Sequence, residues 1–136
     1  MSDMDYYEKE RSRMLNTGYS TEITREELIG MTYLACAEFD VPLQNVIIKK
    51  LAYGFLGFCG TQWNKDKVHV RFLFQYSSKH KPTYGWVSHE VGHAREAMNM
   101  GFEKDRSMWG HREETLFPYV SEIQNFIDIW VKKRLT

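Results

Sequence analysis

In the stretch VHVRFLF, residues 68–74, Val68, Val70, Phe72 and Phe74 alternate with His69, Arg71 and Leu73. A period of two is the spacing of a strand with one face on a core. The segments on either side repeat their apolar residues every three or four positions instead. The chain therefore reads as helix, small sheet, helix, helix, an α+β class with a small, mostly antiparallel sheet. Upstream, NVIIKKLAYGFLGFCG supplies one or two more strands, with a bend at Gly54 or Gly57. At 136 residues there is room for one core. The reading is a polar arm over residues 1–20 and a single domain over 21–136.

The first helix is expected to start at Thr24, because Thr24 and Glu27 have the spacing of a capping box. Leu28, Met31, Ala35 and Phe39 then share a face. Asp40-Val41-Pro42 stops the helix. A second helix begins near Tyr84 or Gly85 and runs to Met100, with Gly101 placed to end it. The last runs from about Arg112 to Lys133, with Leu116, Val120, Ile123, Ile127 and Trp130 along one stripe. Pro118 should kink that helix or mark its first turn.

The 18 basic and 18 acidic residues cancel. There is no overall charge to attract nucleic acid or anionic lipid, so no clear nucleic-acid binding is expected. No apolar run has membrane-spanning length, and the N-terminus lacks a signal-like apolar segment, which makes the cytoplasm the expected location. Cys36 and Cys59 have no clustered spacing and read as reduced, buried thiols. Met98, Met100 and Met108 read as packing residues.

Chemistry concentrates in SHEVGHA, residues 88–94. On a helix, His89 and His93 are roughly 40° apart around the axis and about one turn apart along it, so both imidazoles can meet one zinc ion. Glu90 lies about 100° further round. It cannot easily join the same coordination sphere, but it can reach a water on the metal and take its proton. HExxH is a known metallopeptidase pattern. The plain alternative is a pair of polar histidines on an ordinary helix. Small Gly92 and Ala94 would let another element pack closely.

A hydrolytic zinc needs a third protein ligand and an open position. Asn99 stands where the longer HExxHxxGxxH pattern requires histidine, so that version fails. Glu113 is 20 positions after His93 and continues the stripe of Leu116 and Val120, which points it inward. A buried carboxylate needs a partner, and zinc would be one. Glu114 is the second choice and His111 the third. Both glutamates could instead be first-turn acids favoured by the helix dipole.

HEVGHA followed by EETLFPY resembles the zincin superfamily in its minimal, gluzincin-like form, with HExxH plus a glutamate on the closing helix. Small domains of the ImmA/IrrE type and short zincin-like phage proteins are similar, the latter favouring Glu114. SprT-like domains use a third histidine, which His111 resembles less well because Arg112 follows it. The resemblance spans roughly residues 25–130 and implies a minimal zincin-like fold. It implies His89, His93 and Glu113 as zinc ligands and Glu90 as general base and acid. It also implies that the strand from Val68 to Phe74 is a sheet edge beside the site, where an extended peptide could pair. Tyr119 or His111 could face the developing oxyanion, although a buried, hydrogen-bonded tyrosine is the plainer role for Tyr119. The expected function is a zinc-dependent metallopeptidase acting on a peptide or protein. The alternative is a protein-binding module on the same scaffold, weak or inactive as an enzyme.

Overall fold

The computed structural model describes residues 18–51, 56–63, 69–100 and 113–135. The arm before residue 18, Val68, the Gly101 helix end, Met108 and His111 lie outside them. A single 3-10 turn, Gly18–Ser20, precedes helix α1 (Arg25–Glu38). Three strands follow, β1 (Leu43–Lys49), β2 (Gly57–Trp63) and β3 (His69–Ser77), then helices α2 (Tyr84–Met100) and α3 (Glu113–Leu135).

Local chemistry sets the ends of α1. The Thr24 hydroxyl accepts from the Glu27 N–H at 3.1 Å, and the Thr24 N–H donates to the Glu27 carboxylate at 3.0 Å. At the other end Asp40 adopts φ 55°, a left-handed conformation. This turns the chain so that the Val41 N–H reaches back to the Cys36 carbonyl at 2.8 Å, closing the last turn. Pro118 lies inside α3, five positions after its start, and its ring is exposed. The missing proline N–H falls in the second turn, and the helix continues through it.

The sheet has the order β1-β3-β2, with β1 parallel and β2 antiparallel to β3. It is mixed rather than mostly antiparallel, within the expected α+β class. Nor is β3 an edge: the alternating strand is central and β2 flanks the site instead. The reason lies in burial. Phe72, Phe74 and Tyr76 are fully buried, and only the middle strand puts neighbours on both sides of such large side chains. Exposed Arg71 alternates with them.

Residues from all three helices pack against that face in one core, including Leu28, Met31 and Ala35 of α1 and Ile123 and Ile127 of α3. Helix α2 is at the centre, in contact with α1, α3, β2 and β3. A Cβ at Gly92 would come within 2.9 Å of Val120 Cγ2 and 3.4 Å of the Val120 backbone nitrogen, so α2 and α3 cross there at close range. The Ser88 hydroxyl donates to Gln124 at 2.6 Å, four positions away on each helix, which makes the pair antiparallel. Met98, expected to pack, is instead exposed, because it lies on the outer side of α2 near its end.

Candidate metal centre

Helix α2 presents His89 and His93 on one side, as the four-residue spacing requires. Their Nε2 atoms lie 3.0 Å apart, with ring planes at 83°. Two nitrogens on a tetrahedral zinc, each about 2.0–2.1 Å from it, are separated by about 3.3 Å. The pair thus already has nearly the spacing of two such ligands. Ligand atoms of His89, Glu90 and His93 all lie within 4.8 Å of one another. Two converging imidazole nitrogens are donors that zinc and other divalent transition metals accept, and the Glu90 carboxylate lies beside them.

Glu90 is buried, though it is one position round the helix from a half-exposed histidine. It points toward β2, where Gly57 makes room for it. A Cβ on Gly57 would meet the Glu90 carboxylate at 3.0–3.1 Å. Burial pushes the Glu90 carboxyl up from 4.5 to about 8. A cation beside it would oppose that rise, since opposite charge favours the ionised form. Tyr76, buried nearby, also holds its proton more tightly, chiefly through desolvation.

His89 and Glu90 of the group line a cleft of about 330 Å³. Gly85, Trp86, His89 and Glu90 of α2 line it along one side. Leu56 and Gly57, at the start of β2, form one wall, and Tyr19 of the N-terminal turn forms another.

Other expected site residues fare differently. Glu113 and Glu114 open α3, but only their backbone is described, and His111 lies outside the described residues. By helical rise, Glu113 is about 10 Å along α3 from the Gly92 crossing, toward the C-terminal half of α2. Tyr119 is half-buried with the Arg95 guanidinium 5.5 Å from its ring centroid, and it does not line the cleft.

Two residues escaped the sequence reading. Glu96 is 2% exposed, one turn beyond His93 on the same side of α2, although it does not join the three-residue group. Its signal was the His-x3-His-x2-Glu spacing. Tyr19 gave no local signal, because only the fold brings residue 19 beside residue 89. Cys36 is buried and its thiol is pushed up to about 12 by desolvation, so it is no nucleophile.

What fold and site define together is a small α+β fold with a His-Glu-His group at a cleft that His89 and Glu90 line, beside an edge strand. No protein-family model, curated protein or solved structure matches the chain. No helix among the described residues is long and apolar enough to cross a membrane.

Proposed function

We propose that this protein is a zinc-dependent metallopeptidase with a minimal zincin-like domain, in which His89 and His93 hold the metal and Glu90 moves the proton. The observation that carries this reading is the convergence of the two Nε2 atoms, 3.0 Å apart, beside a buried carboxylate that lines a cleft. A bound zinc would polarise the scissile carbonyl and bring the pKa of its water toward about 7.

The chain's own residues do the rest. Glu90 takes the proton of the attacking water and delivers it to the departing amide nitrogen, as base and then acid. Contact with Gly57 and burial against β2 hold the carboxylate in one place. A third protein ligand is drawn from the start of α3, Glu113 first and Glu114 second. The substrate is a peptide or protein segment, and the setting is the cytoplasm, where thiols such as those of Cys36 and Cys59 stay reduced.

The deciding experiment is elemental analysis of untagged protein together with cleavage of a peptide library. One zinc per chain is expected, lost in His89→Ala and His93→Ala. Glu90→Gln should keep the metal and abolish cleavage. Glu113→Gln and Glu114→Gln, compared by zinc affinity, identify the third ligand. A chain that takes up no zinc ends the proposal. Zinc uptake without cleavage of any peptide leaves a binding module in its place.

A further inference from the structure

The cleft extends past the metal group toward the N-terminal end of α2, and there its character changes. Gly85 is one turn before His89, about 6 Å along the axis. The large side chains that line the cleft beside the metal group are Tyr19, Leu56 and Trp86. None carries a formal charge, and among the described lining residues Glu90 is the only acid and there is no lysine or arginine. Leu56 is a large apolar side chain left 46% exposed at the rim.

The Tyr19 wall is fixed rather than loosely laid on. A Cβ on Gly85 would meet the Tyr19 ring and the Tyr19 carbonyl oxygen, each at 2.7 Å, so the turn rests directly on the first turn of α2. The Gly18 N–H donates to Asp128 Oδ1 at 3.1 Å. The same oxygen accepts from Gln124 at 2.9 Å, and Gln124 in turn accepts from Ser88, the residue before His89. Downstream, the Tyr84 N–H donates to the Thr21 carbonyl at 3.2 Å. The backbone on either side of Tyr19 is thus fixed, to α3 at Gly18 and to the first residue of α2 at Thr21. A wall ordered before binding loses little entropy when a ligand arrives.

Resting on the peptidase reading, we propose that Tyr19, Leu56 and Trp86 form a side-chain subsite that selects substrates with a bulky apolar residue next to the cleaved bond. Tyr19 is the specificity-determining residue, acting through its ring. A charged side chain would lose its hydration there without gaining an opposite charge at the walls. An apolar one covers Leu56 and Trp86 as it enters. The cleft volume of about 330 Å³ is at the small end of ligand sites, enough for one large side chain beside the reacting group.

The test uses zinc-loaded full-length protein and fluorogenic peptides that differ only at the residues flanking the bond: Phe, Leu, Ala, Asp or Lys. Wild type should favour Phe or Leu over Ala by about 10- to 100-fold in kcat/KM on one side of the bond. Tyr19→Ala should cut that ratio at least about tenfold, and Tyr19→Phe should keep it. Because Leu56 is exposed, Leu56→Glu puts the subsite to the same test without endangering the fold, and it should raise the Lys peptide relative to Phe. A wild-type preference for Ala, Asp or Lys, or a Phe preference unchanged in both Tyr19→Ala and Leu56→Glu, overturns the subsite. If wild type cleaves nothing, the peptidase reading has failed separately, and affinity for Phe- against Ala-bearing peptidyl hydroxamates decides. Equal binding rejects the subsite. A Phe preference that Tyr19→Ala removes upholds it.

Discussion

Replacing Glu90 with glutamine in the metal-free protein should remove a pH dependence that the fold imposes. In the folded chain burial holds the Glu90 carboxyl near 8, against 4.5 for the ordinary group. Between those values the unfolded chain has released its proton and the folded chain still holds one. Stability therefore falls as pH rises, by about 1.4 kcal/mol per pH unit. Across the whole span the loss approaches roughly 5 kcal/mol. That is an upper figure, because partial opening of the cleft to water relieves some of the burial. It is still a large share of the roughly 5–15 kcal/mol that holds a domain together. Below about pH 4.5 both states keep the proton and the effect vanishes; above about 8 it stays constant. Glutamine has nearly the same shape and does not titrate, so the difference between the two proteins isolates the carboxyl together with its coupling to His89 and His93. Urea denaturation in chelator, at steps from pH 5 to 9, should show wild type losing stability relative to Glu90→Gln up to about pH 8. Parallel curves over that range would refute the reasoning. Added zinc should reverse the trend in wild type, since a neighbouring cation favours the carboxylate and metal binding needs neutral imidazoles.

Gly92→Ala gains about 1 kcal/mol of helix propensity but presses on Val120 Cγ2 at 2.9 Å and its backbone nitrogen at 3.4 Å. Overpacking of this kind costs about 1–3 kcal/mol, so net destabilisation is expected in thermal melts. A coupling of at least about 0.5 kcal/mol with Val120→Ala should appear in a double-mutant cycle, and strict additivity would remove the contact from the argument. Asp40→Gly relieves the left-handed backbone at φ 55° and should stabilise the protein by up to about 1 kcal/mol, read as a higher Tm. Cys36, buried with its thiol pushed up to about 12, should resist alkylation at pH 8 until the chain is unfolded, whereas labelling at the native rate of an exposed thiol would contradict its placement.

Much of the local architecture was legible because its causes are local. Thr24 and Glu27 cap α1 through groups three positions apart, and Phe72 and Phe74 share a face because strand geometry alternates. The pairing of His89 with His93 follows from helical pitch alone. Strand order was not legible in this way. That β3 is central and β1 runs parallel to it depends on how the chain crosses between strands, which no spacing within a strand records.

By itself, then, the sequence determined the helices, the buried face of β3 and the two imidazoles brought side by side, since backbone geometry sets each over a few residues. Only the tertiary structure decided that Gly57 shelters Glu90, that Gly92 lets α3 approach, and that Tyr19 and Leu56 line one cleft with His89. Those are contacts between distant segments, fixed by packing of the whole core. They turn a helix bearing two histidines and a glutamate into one side of a cleft.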